Sequence, residues 1–272
     1  MTDVGATMLA EEARGWAGES VAALREHWDR ESVFAFDRVP STNDLARELA
    51  EAGAPSGTIV LCEEQTAGRG RAGRSWESPA GAGLYLSMVF RPRAATVPPL
   101  LTVVAGVDLA RELNRRFPGL GSAVKWPNDL MARERKLGGI LAETARDGDK
   151  DVFLVVGVGI NVDAGRLPSD VDGAVALADC VGPARLVDVA DAVVAGLERR
   201  LPRVPTSLDA ASLDELDRLD WLKNRWVEHR LSDREPAIGL AAGIAPDGAL
   251  LLRPRGGALR RVVAGSIALG GS

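Results

Sequence analysis

A nearly continuous apolar run at residues 152–162 constrains the fold more than any other segment of the chain. It is about half as long as the roughly 20 residues that a membrane-spanning helix needs, and it contains glycines, so we interpret it as a strand buried on both faces. With 272 residues, 46% of them hydrophobic, the chain can supply a core of ordinary size around such a strand. We therefore expect one soluble globular unit with a small appendage and no membrane partner.

The elements around this strand mix helices and strands without a regular alternation. The apolar spacing predicts one or two helices over residues 8–30, a helix at 45–52 with Ser41 and Asp44 as a capping box, a helix at 100–117, and mostly helices from 187 to 228. Strands are predicted at 32–39, 58–64, 84–90 (half-buried), 122–126 and 137–144, the last two flanking a turn at 132–135. This pattern favours an α/β fold of the α+β type, with a mixed β-sheet flanked by helices.

The C-terminal region carries a different pattern. Pro246, Asp247 and Gly248 separate two apolar runs and so predict a hairpin, to which residues 259–267 could add a further strand. We expect a small β module there. The predicted organisation is an N-terminal helical extension at 1–30, a main domain at 31–228 and a small C-terminal β domain at 229–272.

Charge and composition narrow the classes of function. The formal net charge of −5 argues against a surface built mainly for nucleic acid, and the N-terminus lacks a secretory pattern, so we expect a cytoplasmic protein. Cys62 and Cys180 lie far apart and predict two buried, reduced thiols. The only histidines, His27 and His229, lie in segments interpreted as helical and remote from the polar motifs, which leaves Ser/His/Asp or Cys/His catalysis without a base. A Walker loop is absent from the sequence.

The most unusual segment is the loop at residues 65–83, whose centre reads Gly68-Arg69-Gly70-Arg71-Ala72-Gly73-Arg74. Glycine lets backbone amides approach an anion closely, and guanidinium groups supply permanent, bidentate positive charge. A solvated flexible loop and an RNA-binding Arg/Gly tract are the alternatives to an ordered anion site. The ordered site is favoured because the loop joins two strands, is followed at once by Trp76 and Pro79, and does not repeat.

A second polar cluster runs from Lys125 to Asp129 and continues at Lys136. A lysine at a strand end, beside a proline, can project a charge into a crevice at the sheet edge, although most single lysines are simply solvated. Asp129 could hold Mg²⁺ through its carboxylate and water, or cap a turn. Asn161 ends the buried strand and could contact a nucleotide, whereas the glycines of residues 157–161 could equally serve close packing.

Five motifs in one order resemble the signature of the biotin protein ligases: Ser41-Thr42-Asn43, Gln65 with residues 68–74, residues 125–129, residues 136–140 and residues 157–161. Several motifs in a fixed order are far more specific than any one of them, and together they cover about residues 35–165. The resemblance implies a class II synthetase-like catalytic domain with an SH3-like C-terminal module. It implies formation of biotinyl-5'-AMP from biotin and ATP with Mg²⁺, transfer of biotin to a lysine of a biotin carboxyl carrier protein, and leaves a homodimer possible.

The resemblance also implies roles for individual residues. Lys136 corresponds to a lysine near the biotin carboxylate and Lys125 to one near the α-phosphate, with Arg69 and Arg71 as further catalytic cations. The implied biotin contacts are Ser41, Thr42, Asn43, Gln65, Arg69, Gly70, Arg71 and Lys136. The implied nucleotide contacts are Arg74, Trp76, Lys125, Asn128 and Asn161, with Asp129 as a water-mediated Mg²⁺ contact.

The chain departs from the family pattern in places, and other functions compete. Ala72 stands where many relatives carry a polar or basic residue, and the first strand of the C-terminal module is hard to find around residues 230–235. Residues 1–30 are too short for the winged helix of repressor-type members, so we expect no operator binding. A lipoate ligase or octanoyl transferase of the same fold is the nearest alternative, but it typically lacks the Gly/Arg run and would want a cysteine near the motifs. An RNA-binding protein is less favoured because only 4% of residues are aromatic.

Overall fold

A computed structural model describes residues 11–92, 100–147, 151–167, 173–203, 205–231 and 235–270. The first elements are a short hairpin of β1 (Gly15–Trp16) and β2 (Glu19–Ser20), followed by helix α1 (Val21–His27). The prediction of helices across residues 8–30 is therefore wrong outside α1, and residues 1–10 lie outside the described part. Ala17 and Gly18 have positive φ angles of 53° and 85°, and this turn reverses the chain between the strands.

The main domain is built on a mixed sheet, as predicted, and this sheet has seven strands. Its strands are β3 (Val33–Val39), β4 (Ile59–Gln65), β5 (Gly83–Phe90), β6 (Ala123–Lys125), β7 (Asp129–Ala132), β8 (Arg135–Asp147) and β9 (Asp151–Asn161). Their order is β3-β4-β5-β9-β8-β7-β6, with β3 and β4 parallel and every other neighbouring pair antiparallel. The apolar run at 152–162 thus forms the central strand β9, confirming the prediction of a buried strand.

Helices cover both faces of this sheet. The main-domain helices are α2 (Thr42–Glu51), α3 (Leu100–Arg116), α4 (Leu177–Val181), α5 (Leu186–Arg200) and α6 (Ala210–Leu219). Alternate side chains of β5 enter two separate cores: Leu86 joins residues of α3 and α5, whereas Tyr85 joins residues of α2. All eight residues of β5 are buried, so the prediction of a half-buried strand is wrong, because a three-layer arrangement leaves no solvent face at its centre.

Two local predictions near the motifs are also corrected. Helix α2 begins at Thr42, and the Ser41 side chain makes no capping hydrogen bond; Asp44 instead pairs with Arg47 and Arg69, so the predicted capping box is absent. Strand β7 was not predicted. It pairs with β8 across a turn at residues 133–134, where both residues have positive φ angles.

The C-terminal module is a five-stranded antiparallel sheet, consistent with an SH3-like fold. It consists of β10 (Trp226–Arg230), β11 (Ala237–Ile244), β12 (Leu250–Arg253), β13 (Arg260–Val262) and β14 (Ser266–Leu269), in the order β13-β12-β11-β10-β14. The predicted hairpin at 246–248 is confirmed, but helix up to residue 228 is wrong because β10 begins at Trp226. The single strand predicted at 259–267 is divided between β13 and β14.

The module contacts the main domain through a buried side chain. Trp126 Nε1 donates a hydrogen bond to the carbonyl of Gly248, at 2.9 Å, from the segment that follows β6. The contact joins the hairpin between β11 and β12 to a motif near the candidate site. Within the described residues, no helix is long and apolar enough to cross a membrane.

Candidate functional site

One pocket of about 250 Å³ gathers the sequence motifs. It lies between the start of α2, the Gly/Arg loop (the loop at residues 65–83) and strands β8 and β9. Every residue assigned a site role from the sequence, except Lys125, belongs to its lining: Ser41, Thr42, Asn43, Gln65, Arg69, Gly70, Arg71, Arg74, Trp76, Asn128, Asp129, Lys136 and Asn161. Segments that are widely separated along the chain therefore meet around one cavity.

Gln65, the last residue of β4, has its amide fixed at both ends. The backbone N–H of Thr42 donates to Gln65 Oε1 at 2.9 Å, and the Thr42 hydroxyl lies 3.2 Å from the same oxygen. Gln65 Nε2 donates to Ser78 Oγ at 2.8 Å. Because each amide atom has a partner, the Gln65 side chain has a defined orientation in the pocket wall.

Asn43 is held by a buried serine and by a carboxylate. Ser87 Oγ, on β5, lies 2.6 Å from Asn43 Oδ1 and 2.8 Å from Thr42 Oγ1. Asn43 Nδ2 donates to Glu143 Oε2, on β8, at 2.8 Å. The start of α2 thus presents amide and hydroxyl groups whose positions are set by two strands of the sheet.

The cationic part of the pocket faces this polar wall. Lys136 Nζ forms an ion pair with Asp129 Oδ1 at 2.7 Å and lies 5.2 Å from the centre of the Trp76 ring. Arg71 Nη1 donates to Asn128 Oδ1 at 3.3 Å. Burial, followed by repulsion from Arg74, lowers the pKa of Arg71, while Asp129 opposes this shift. The site therefore concentrates positive charge that a bound anion would stabilise.

Lys125 is the exception among the predicted site residues. Its ammonium lies 5.6 Å from the ring of Trp221, in the segment that leads to the C-terminal module. Burial lowers the pKa of Lys125, nearby Lys136 and Arg74 lower it further, and Asp129 opposes them. Lys125 therefore belongs to the electrostatic surroundings of the pocket, but the structure does not bring it into the lining. Its direct contact with a nucleotide stays a prediction.

The glycines of β9 and Asn161 have structural partners. An added Cβ at Gly159 would lie 2.6 Å from Trp76 Nε1, so this glycine leaves room for the tryptophan ring. Asn161 Nδ2 lies 3.3 Å from the carbonyl of Lys136 and 3.4 Å from that of Val175. Asn161 therefore ties β9 to its neighbours at the pocket edge, and a nucleotide contact by this residue stays a prediction.

Asp129 is the carboxylate in the lining that was predicted as a metal contact. Among the residues that the structure describes, no three His, Cys, Asp or Glu side chains form a potential metal cluster. A cation here would accordingly need most of its ligands from a substrate and from water. Asp129, which is paired with Lys136, is suited to such a single contact.

The thiols and imidazoles lie outside the pocket lining. Cys62 is buried, which raises the pKa of its thiol well above the usual range, whereas Cys180 is only half-buried, contrary to prediction. His27 contacts Asp191 Oδ1, and His229 lies on strand β10 rather than in a helix. None of the described pocket residues is a cysteine or histidine that could carry an acyl group.

Four residues that matter at the site were not predicted for it: Asp44, Ser78, Ser87 and Glu143. Ser87 could have been noticed, because it is a polar residue in the otherwise apolar strand β5. Glu143 gave no such signal, since a glutamate near the end of a strand is usually solvated. Glu143 is recognisable only once the packing of α2 against the sheet places Asn43 beside it.

Comparison with known proteins identifies similar sequences and folds. Residues 35–161 match the model of the biotin/lipoate A/B protein ligase family. The chain is 36% identical to the bifunctional ligase/repressor BirA of Escherichia coli over 84% of this chain and 71% of that protein. It is 33% identical to the biotin--[acetyl-CoA-carboxylase] ligase of Paracoccus denitrificans over 83% of this chain and 95% of that protein. A structure of the biotin protein ligase from Aquifex aeolicus in complex with biotin and ATP has a similar fold, with a TM-score of 0.74 at 24% identity, over 89% of this chain and 100% of that chain.

Proposed function

The chain belongs to the biotin protein ligases of the biotin/lipoate A/B protein ligase family, and we propose that it activates biotin with ATP and transfers it to a protein. The product of the first step is biotinyl-5'-AMP, and the acceptor of the second is a lysine of a biotin carboxyl carrier protein. The observation that carries the proposal is the union, in one cavity, of a fixed amide and hydroxyl wall with a cluster of cations.

The amide and hydroxyl wall suits the ureido head of biotin. A ureido group has both N–H donors and a carbonyl acceptor, and it binds well where donors and acceptors are held in place. Ser41, Thr42, Asn43 and Gln65 offer such groups, and three of them are buried. We assign them to biotin binding.

The cationic side suits the meeting of a carboxylate with a triphosphate. The biotin carboxylate oxygen attacks the α-phosphorus of ATP, the P–O bond to pyrophosphate breaks, and pyrophosphate leaves. Lys136, Arg71 and Arg74 line the pocket, and Lys125 lies nearby, so positive charge can offset the repulsion between two anions and stabilise the departing group. The enzyme then needs no covalent intermediate.

The second step needs protection of the mixed anhydride. The amine of the acceptor lysine attacks the acyl carbon, the bond to the phosphate oxygen breaks, and AMP leaves. Gly70 and Arg71 of the loop and Trp76 line the pocket, so an ordered loop there would favour retention of the adenylate until the acceptor arrives. In the first step, Mg²⁺ bound to the triphosphate would supply further charge neutralisation, with Asp129 as its protein contact.

The assignment has consequences for partners. Acetyl-CoA carboxylase is named in the relative from Paracoccus denitrificans, and we propose a carrier domain of such a carboxylase as the acceptor. The expectations of a cytoplasmic location, of no operator binding and of a possible homodimer stay predictions, as does the division at residues 31 and 229.

Exchange of label between pyrophosphate and ATP tests the proposal. We expect exchange with biotin, and none with lipoate or without an added acid, because the exchange reports the reversal of adenylate formation and that reaction requires the biotin carboxylate. Exchange that depends on lipoate would replace the substrate assignment. No exchange under any condition, in folded protein with Mg²⁺ present, would contradict the ligase function.

A further inference from the structure

Arg69 was expected to act on substrate charge, but two protein carboxylates hold its guanidinium. Arg69 Nη2 donates to Asp44 Oδ1 at 2.7 Å and to Glu143 Oε2 at 2.9 Å. Two carboxylates therefore contact this one cation within the protein, and Asp44 is shared with Arg47. A guanidinium with two carboxylate partners has less charge to offer a phosphate than Arg71, whose side chain donates to the neutral amide of Asn128.

The two carboxylates come from the elements that hold the amide and hydroxyl wall of the pocket. Asp44 lies in the first turn of α2, directly after Thr42 and Asn43. Glu143 lies on β8, and its Oε2 also accepts the hydrogen bond from Asn43 Nδ2. Arg69 thus connects the Gly/Arg loop to both the helix and the strand that carry the polar wall of the pocket.

The loop transmits this connection because it is internally hydrogen-bonded. Gly70 N donates to the carbonyl of Arg74 at 2.7 Å, and Trp76 N donates to that of Gly68 at 2.9 Å. Residues 68–76 accordingly form one small hairpin. Fixing Arg69 therefore also fixes the neighbouring loop residues that line the pocket.

We propose that Asp44 and Glu143 are positioning residues that, through Arg69, hold the Gly/Arg loop closed over the pocket. On this view, Arg69 acts through its contact with the two carboxylates and not on a phosphate. The role rests on the proposed function, because the loop would retain biotin and its adenylate. Ion pairs of this exposure contribute modestly one by one, but a network of charge-assisted hydrogen bonds across three elements can control the opening of a loop.

The rate of biotin release tests this role in four variants. Glu143→Gln keeps an acceptor for Asn43 but removes the charge, and Asp44→Asn and Arg69→Ala remove the other partners. We expect each variant to release biotin roughly threefold to tenfold faster, with the Michaelis constant for ATP unchanged in the two carboxylate variants. The double variant Arg69→Ala/Glu143→Gln should release biotin no faster than Arg69→Ala alone. The reason is that Arg69→Ala already breaks the contact with Glu143.

Arg47→Ala is the matched control. Arg47 also pairs with Asp44, at 2.9 Å, but it lies on α2 and does not belong to the loop. This variant should release biotin at the wild-type rate. Additive effects of Arg69→Ala and Glu143→Gln, with a raised Michaelis constant for ATP in Arg69→Ala, would overturn the proposal in favour of a phosphate contact.

Limited trypsin digestion gives a second readout that needs no ligand. If the carboxylates hold the loop closed, Glu143→Gln and Asp44→Asn should accelerate cleavage after Arg71 and Arg74, whereas Arg47→Ala should not. Unchanged cleavage in both carboxylate variants would overturn the proposal that Asp44 and Glu143 hold the loop closed. If the wild-type protein bound no biotin while cleavage was still accelerated in the carboxylate variants, the proposed function would be contradicted and the role of the carboxylates would stand. The two failures are therefore distinguishable.

Discussion

Gly157 of β9 lies directly against the side chain of Asn43, so that a Cβ at Gly157 would overlap Asn43 Oδ1. Asn43 cannot simply move away, because Ser87 and Glu143 hold its two amide atoms. Gly157 does not adopt a positive φ angle, so the backbone conformation does not require glycine there. The need for glycine arises from the space that the asparagine occupies in the pocket wall.

Gly157→Ala should therefore weaken biotin binding. The new methyl group must displace Asn43 from the polar wall, and the loss of one hydrogen bond to biotin typically costs about 0.5–1.5 kcal/mol, which is roughly a twofold to tenfold loss of affinity. Isothermal titration calorimetry with biotin measures the effect. Gly165→Ala is the matched control, since its nearest neighbour, Asp163 Oδ1, would be at an ordinary 3.4 Å. Equal affinities for the two variants would contradict the role of Asn43.

Lys136→Ala and Arg71→Ala should each depress adenylate formation while leaving the fold intact. Both side chains line the pocket, and removing one preorganised charge from a reaction that gathers negative charge commonly costs about a hundredfold in rate. Biotin-dependent exchange between pyrophosphate and ATP gives the rate, and circular dichroism reports the fold. Arg38→Ala, which removes an exposed arginine paired with Glu64, serves as the control. Full activity in both pocket variants would discard these assignments.

Ser87→Ala separates binding from stability when it is compared with Ser20→Ala. The Ser87 hydroxyl is fully buried between Thr42 and Asn43, so its loss leaves Asn43 Oδ1 without this donor and should cost about 1–3 kcal/mol, with weaker biotin binding. Ser20 instead caps α1 through the N–H of Ala23. Its removal should cost about 1 kcal/mol in urea unfolding, with biotin affinity unchanged. A Ser87→Ala protein with wild-type affinity would show that the bridge does not shape the pocket.

The sequence motifs predicted the pocket lining better than they predicted the contacts among its residues. Short motifs located nearly all of the lining, because glycine, arginine and lysine in a fixed order are specific even without a structure. Lys125 is the exception, because its motif assigned it to the site but it does not line the pocket. Its contact with Trp221 depends on a residue from a remote part of the chain. Glu143 was missed because only the packing of α2 against the sheet brings Asn43 to it, whereas Ser87 gave a signal as a polar residue in an apolar strand.

The fold was predicted where local pattern and tertiary environment agree. The central strand β9 is apolar along its length and lies in a buried position, so the pattern was sufficient. The sequence of strand β5 has an alternating pattern and a serine near its centre, which is typical of a half-buried strand. Only the helices on both faces of the sheet bury all of its residues. At Trp226 the apolar spacing suited a helix, but pairing with β11 and β14 made this segment a strand.

Asp220 should make folding stability depend on pH. Its Oδ1 accepts a hydrogen bond from Leu222 N, whereas Oδ2 is buried without a partner among the described residues, and burial raises the pKa of this carboxyl from 3.8 to about 6. The folded state therefore holds the proton more tightly than the unfolded state, so the stabilising effect of protonation is lost as pH rises from about 4 to 6, with a cost of about 3 kcal/mol above that range. Asp220→Asn keeps the acceptor for Leu222 but cannot ionise, so its unfolding free energy relative to wild type should increase across this window in urea titrations. Parallel profiles for Asp220→Asn and the wild type would refute the buried charge as its cause.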